Sequence, residues 1–303
     1  MTANVLLLRS PSEDSGPDKY EEAFRAQGYR AVSVPVLETV HKNLDKLAEV
    51  LRRRGTLADG SASYSGVIVT SGRACEAWQA VVQELSNGNG TNATDVQESS
   101  WSTVPFYVVG AATASALSTI RTAFPTSPYA PHNIRGGAES GTAEKLAKFI
   151  LTDLPEAPPS ASRTLLYLTG DKNRDTLPKI LGEGGLKLES LQVYATQGSS
   201  TFEEDLKAAL GELSAESGER WWIVYFAPSA ANAVAPTIEK HFDLPTAESA
   251  SPKDRRARIA CIGPTTATFL RNELHIEVAV VAEKPTPEAL GEGIAAWDRD
   301  HQW

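Results

Sequence analysis

The chain has 303 residues, enough for one large domain or two of ordinary size, and its 41% hydrophobic and 22% charged content is that of a soluble globular protein. A net charge of −9, with both signs mixed along the chain and no dense Lys/Arg cluster, argues against a nucleic-acid partner. No apolar stretch approaches the roughly 20 residues of a membrane span, and the apolar run in Val5-Leu-Leu-Leu8 is too short for a secretory signal. The expected location is therefore the cytoplasm.

Strand-like and helix-like stretches alternate along the chain. Val5–Leu8 is a short apolar strand, 18–27 is helical, and Gly28 is placed to end that helix. Ala31–Leu37 returns as a strand, 43–54 is helical, and Gly66–Thr70 is again a strand. Helices at 74–85 and 111–122 flank a strand at 105–109, and a helix at 142–152 starts on Thr142 as its cap. The second half continues with strands at 164–168, 187–194, 221–226, 257–262 and 276–281. The matching helices fall at 175–183, 202–213, 229–241, 265–273 and 286–297. Such alternation predicts an α/β fold with parallel sheets covered by helices on both faces. Ser86–Ser102 and 155–162, rich in small polar residues or Pro, are expected to be exposed loops.

Two distant segments are nearly alike: Phe106-Tyr-Val-Val-Gly-Ala-Ala-Thr-Ala-Ser-Ala-Leu117 and Ile259-Ala-Cys-Ile-Gly-Pro-Thr-Thr-Ala-Thr-Phe-Leu270. Each is an apolar strand, a Gly turn and a small-residue cluster that opens a helix. Val5-Leu-Leu-Leu8 similarly matches Thr164-Leu-Leu-Tyr167, and Val69-Thr-Ser-Gly-Arg-Ala74 matches Tyr225-Phe-Ala-Pro-Ser-Ala230. The offsets stay within roughly 150–160 residues, which indicates a duplicated α/β domain. Taken alone, this rhythm suggests tandem halves divided near residue 160.

Ligands of parallel sheets bind beyond the carboxyl ends of the strands. There the sequence places Thr70-Ser-Gly-Arg73, Gly110 with Thr113, Thr169-Gly-Asp-Lys-Asn-Arg174 (which includes Lys172), Ala227-Pro-Ser229 and Gly263-Pro-Thr265-Thr266. Each Ser or Thr alone reads as an ordinary helix cap. Gathered on one edge, these hydroxyls and helix N-termini make an anion site for carboxylates or phosphates. The nucleotide-loop and serine-hydrolase motifs are missing, and the five histidines lack ligand spacing, so no metal site is expected. Cys75 and Cys261 are expected to be buried thiols. Tyr194 ends a predicted strand. It is either a packing residue with a wet hydroxyl or, with no histidine nearby, a general acid.

These residues carry a resemblance. Val5-Leu-Leu-Leu8, Pro35-Val-Leu37, Thr70-Ser-Gly-Arg-Ala74, Val108-Val-Gly-Ala-Ala-Thr-Ala114 and Ala143-Glu-Lys-Leu-Ala147 occur here in that order. They are followed by Leu177-Pro-Lys179, Val193-Tyr-Ala-Thr196, Phe226-Ala-Pro-Ser229, Ile262-Gly-Pro-Thr-Thr-Ala267 and Pro285-Thr-Pro287. In order and spacing, the chain resembles the uroporphyrinogen-III synthase family over essentially its full length. That resemblance implies a cyclising lyase of haem and other tetrapyrrole biosynthesis, working without cofactor or metal; nothing in the sequence marks an oligomer interface, so a monomer is expected. Its substrate would be hydroxymethylbilane, a linear tetrapyrrole with acetate and propionate side chains. The resemblance also leaves room for a transient contact with the hydroxymethylbilane synthase that supplies it.

By position, the resemblance implies Tyr194 as proton donor to the leaving hydroxyl and Thr113 as a second catalytic residue. Thr70, Ser71, Arg73, Gly110, Lys172, Ser229, Thr265 and Thr266 would bind the substrate. Gly72, Ala227 and Ala230 depart from the family's usual Pro, Ser and Gly. The implied domains are 1–35 plus 199–303, and 36–198: two similar doubly wound domains joined by two extended linkers around a cleft. Such linkers would favour hinge motion. The alternative reading is a non-catalytic, hinge-bending binding or regulatory protein for a polyanionic tetrapyrrole.

Overall fold

The computed structural model describes residues 3–12, 16–53, 64–87, 101–154, 163–214, 220–245 and 255–301. The strands, in chain order, are β1 (Asn4–Leu8), β2 (Arg30–Ser33), β3 (Leu37–His41), β4 (Gly66–Val69), β5 (Pro105–Val108) and β6 (Asn133–Arg135). They continue as β7 (Thr164–Thr169), β8 (Lys187–Gln192), β9 (Tyr194–Gly198), β10 (Arg220–Tyr225), β11 (Arg256–Cys261) and β12 (Val280–Val281). The helices are α1 (Lys19–Ala26), α2 (Leu44–Arg52), α3 (Gly72–Asn87), α4 (Gly110–Ala123) and α5 (Ala143–Asp153). They continue as α6 (Thr176–Glu183), α7 (Phe202–Ser214), α8 (Pro228–His241), α9 (Pro264–Glu273) and α10 (Pro287–Asp300).

The chain divides into two compact units, Met1–Glu38 with Gln197–Trp303, and Thr39–Thr196. The first holds a parallel sheet in the order β12-β11-β10-β1-β2. Its strands are apolar on both faces because helices cover both. Val5, Leu7, Trp222 and Val224 pack towards α1 and α10 with Phe24, Leu290 and Ile294. Leu6, Leu8, Ile223 and Ile259 alternate to the other face, against Leu206, Val234, Ile238 and Leu270.

The second unit holds a parallel sheet in the order β6-β5-β4-β7-β8. Val67, Val69, Phe106, Val108, Leu166 and Leu168 pack on Leu47, Trp78, Val81 and Leu117. Ile68, Tyr107, Leu165 and Tyr167 face Leu146, Ile150, Leu177 and Leu181 on the other side. The two orders correspond strand for strand, with β1, β2, β10, β11 and β12 matching β7, β8, β4, β5 and β6. This is the flavodoxin-like arrangement, reached in the second unit by entering the repeat at a different strand. Division near residue 160 would tear β7 from β4, with which it pairs from Gly66–Leu165 to Val69–Leu168.

Several expected elements shift for local reasons. The strand expected across 31–37 is two, because β2 ends at Ser33 and Pro35, lacking an N–H, stands before β3. β3 and β9 form a separate two-stranded sheet. Of the strand expected at 276–281 only Val280–Val281 is strand, since the Glu277 N–H donates to the Pro245 carbonyl at 2.8 Å. β6, a three-residue edge strand, was too short to show periodicity. Of the two expected loops, 88–100 and 155–162 lie outside the described residues. Trp101 is not exposed as expected: it is 1% exposed, and its Nε1 donates to the Leu51 carbonyl at 3.1 Å.

Candidate active site

In the second unit, crossovers run one way from β4 to β5 and β6, and the other way from β7 to β8. The crevice beyond the carboxyl ends of β4 and β7 is therefore the topological switch point, where such sheets bind ligands. Thr70 follows β4 there, and its hydroxyl shares a hydrogen bond with that of Tyr167 on β7. Burial pushes the Tyr167 hydroxyl above its ordinary pKa, the Thr70 bond opposes this, and neighbouring Tyr194 adds to it.

Tyr194, half-buried, is the first residue of β9. Its ring lies directly on the backbone of Gly170. A Cβ at position 170 would come within 2.5 Å of the ring Cε2 and Cζ and 2.8 Å of the hydroxyl. Asn173 fixes that glycine from both sides: Nδ2 donates to the Gly170 carbonyl at 2.8 Å, and Oδ1 accepts from its N–H at 3.3 Å. The exposed Arg73 guanidinium carbon lies 6.0 Å from the Tyr194 ring centre, at the outer range of a cation–π contact.

The remaining expected residues of this unit take separate places. Ser71 Oγ accepts from the Ala74 N–H at 3.3 Å, so it is a helix cap for α3. Gly110 opens α4 at φ +76°, and α4 has no side-chain cap, so its first-turn N–H groups are left for other acceptors. Thr113 is only 6% exposed, on the inner face of α4, and its carbonyl accepts from Cys75 Sγ at 3.8 Å. Lys172 stands exposed in the loop after β7. Sequence reasoning placed Gly170 and Asn173 in the turn 169–174 without giving either a role, and it read Tyr167 only as part of a strand. The signal for the first two was a glycine directly after the strand that ends at Thr169, followed by an Asn in the same turn.

In the first unit, α8 and α9 start on the neighbouring strands β10 and β11, each with Pro at its first position and no side-chain cap. Proline contributes no N–H, so the next backbone donors, at Ser229–Ala230 and Thr265–Thr266, face outward unoccupied by a cap. Ser229 and Thr265 are exposed, whereas Thr266 is 3% exposed and packs inward.

A family model described as uroporphyrinogen-III synthase HemD matches residues 18–292. The chain belongs to the uroporphyrinogen-III synthase family. Among curated relatives, the uroporphyrinogen-III synthase of Schizosaccharomyces pombe is 30% identical, with 98% of each chain covered. That of Saccharomyces cerevisiae is 28% identical over 97% of this chain and 96% of its own. Among solved structures, uroporphyrinogen-III synthetase from Helicobacter pylori is 16% identical, covering 97% of this chain and 99% of that one, with a TM-score of 0.42. At that TM-score the likeness adds nothing to the fold built from this chain's own strand pairing.

Within this uroporphyrinogen-III synthase family member, the three departures have simple local consequences. Ala227 is the N-cap of α8 and supplies no hydroxyl, which leaves that helix start to an outside acceptor. Gly72 has open space around it, and Ala230, 2% exposed, is part of the core. Among the described residues, two further cavities lie at other strand ends, at the amino end of β11 and at the carboxyl end of β6. One of about 390 Å³ in the first unit includes Arg256, Glu277 and Trp297 in its lining, and one of about 470 Å³ in the second includes Arg121, His132 and Glu139. Neither contains any of the expected site residues. Among the described residues, no helix is long and apolar enough to cross a membrane.

Proposed function

We propose that this chain performs the reaction its family is named for: closure of hydroxymethylbilane to uroporphyrinogen III, with loss of water and inversion of ring D. The observation that carries this reading is the family match across residues 18–292. In the proposed sequence, departure of the terminal hydroxyl as water gives an azafulvene. Attack at the substituted carbon of ring D gives a spiro intermediate, which opens and recloses. The work of the protein is to hold a flexible chain so that the less accessible carbon is the nearer one, and to supply a proton.

Tyr194 is the proposed proton donor. Its placement on Gly170 at the β4/β7 switch point, with an ionisable side chain and no histidine in the same group of contacts, supports that role. Thr70, Arg73, Lys172 and the uncapped N-termini at Gly110, Ser229 and Thr265–Thr266 are proposed to hold substrate carboxylates, as donors suited to anions. Ser71 shares its oxygen with a capping bond, and the buried Thr113 is proposed to act only after a local rearrangement. The two compact units, which divide after Glu38 and after Thr196, are proposed to correspond to the family's two domains, 1–35 plus 199–303 and 36–198.

Cytoplasmic residence, a monomeric state and a transient contact with hydroxymethylbilane synthase belong to the same reading. Sedimentation of the protein alone and with that synthase checks the last two. The reaction itself is tested by adding the protein to freshly generated hydroxymethylbilane and following its cyclisation. The Tyr194→Phe variant is expected to turn over at least about tenfold more slowly, roughly 1.4 kcal/mol of barrier, with its melting temperature kept. Full activity in that variant would remove Tyr194 from the mechanism.

A further inference from the structure

The switch point of the first unit lies between β1 and β10, the strands that correspond to β7 and β4. Arg9 follows β1 there, and Phe226 follows β10. The Arg9 guanidinium carbon is 4.8 Å from the ring centre of Tyr20 and 5.7 Å from that of Phe226, and these rings meet edge to face at 5.0 Å. Its Nη1 donates to Asp18 Oδ2 at 2.7 Å. The Arg9 side chain is 20% exposed, and that of Asp18 is 5% exposed.

This is more than an ion pair on a surface. Asp18 also accepts from the backbone N–H groups of Ser12, Tyr20 and Glu21, at 2.8, 2.9 and 3.2 Å, so Arg9 is one of four donors that hold this carboxylate. A guanidinium has five N–H donors in a fixed fork. Among the described residues, Asp18 is the only hydrogen-bond acceptor of the Arg9 guanidinium. The cation is thus held in place by one carboxylate and two rings, with donors left over at the ligand edge of its sheet. Glu288 is the other acidic group acting on Tyr20 there. On the neighbouring strand, α8 begins without a side-chain cap two residues after Phe226.

We infer that Arg9 is a carboxylate anchor on the first unit, taking an acetate or propionate group of the tetrapyrrole. This assignment rests on the proposed reaction for its ligand class. It names a binding residue that would offset locally the unfavourable field of a chain with net charge −9. Arg is suited to the task because its fork meets a carboxylate with two parallel bonds, which a lysine ammonium does not.

The test titrates wild type, Arg9→Gln and Arg9→Lys with uroporphyrin III, followed by fluorescence, alongside thermal melting and steady-state kinetics on hydroxymethylbilane. Arg9→Gln is expected to weaken porphyrin binding about tenfold or more, and Arg9→Lys by less. The kinetic loss should fall on KM rather than kcat. A purely structural staple would lower the melting temperature and leave binding unchanged, and that result overturns the assignment. If Arg9→Gln does not fold, wild-type binding by Arg9→Lys overturns it as well, as does a wild-type protein that binds no uroporphyrin III. Arg9-dependent binding without formation of isomer III would retain the anchor and discard the proposed reaction. Isomer III formed with unchanged binding in the variants would do the reverse.

Discussion

Tyr194 owes its position to a residue with no side chain. Because Gly170 lacks a Cβ, the phenol ring rests against the backbone just beyond β7, and Asn173 holds that backbone in place. Gly170→Ala puts a methyl group where the ring now lies, so the hydroxyl must move. Turnover of Gly170→Ala is expected to fall by about as much as that of Tyr194→Phe, and the double variant should be no worse than the more affected single one. Independent, additive losses would separate the two residues. The sequence puts Tyr194 at the end of a strand over 187–194, whereas the structure ends β8 at Gln192 and starts β9 on Tyr194, and the need for glycine at 170 arises from a ring far along the chain. Burial, with the Glu76 charge adding to it at Cys75, pushes both the Cys75 and Cys261 thiols up to about 12. Since the thiolate is the reactive form, neither is expected to alkylate with iodoacetamide at pH 8 in the native protein, while both should in urea. Rapid native labelling of either would contradict its placement.

Individual elements were mostly legible because both faces of each sheet are covered, which turns the strands into unbroken apolar runs such as Val5–Leu8 and Gly66–Val69. Where the sequence misled, one cause was local and one was a distant partner. Pro35 split one expected strand, and the Glu277 bond to Pro245 shortened another. Asp18 illustrates how an element's end carries energy. It caps α1 through Tyr20 and Glu21 while pairing with Arg9. Burial by itself would raise its carboxyl, but the Arg9 and backbone hydrogen bonds outweigh that and bring it from an ordinary 3.8 down to about 2. A carboxyl depressed in the folded state stabilises above its unfolded value and loses that contribution as pH falls through the folded one. Asp18→Ala is expected to cost about 1–2 kcal/mol near neutral pH in urea melts. The gap to wild type should narrow between about pH 4 and pH 2, and a gap independent of pH would show that the charge contributes nothing.

At the scale of the whole chain, the duplication was visible in sequence but its assembly was not. The repeated strand–Gly–helix segments fall on β5 with α4 and on β11 with α9, which hold equivalent places in the two sheets. Adjacent repeats in sequence suggest tandem halves. The actual pairing of β1 with β10 joins Asn4–Leu8 to Trp221–Tyr225, and no local propensity can announce so distant a partner. For the proposed site, the sequence offers the turns and Tyr194 as candidates, while the capping use of Ser71 and the burial of Thr113 depend on packing that it does not show. The central claim is that this chain directs ring closure with inversion of ring D, and the isomer composition of its product tests that most directly. Freshly generated hydroxymethylbilane, which closes unaided to uroporphyrinogen I, is given to the folded protein, and the oxidised products are separated by isomer. Predominant isomer III is the result expected; isomer I alone would contradict the proposed function and favour the binding or regulatory reading.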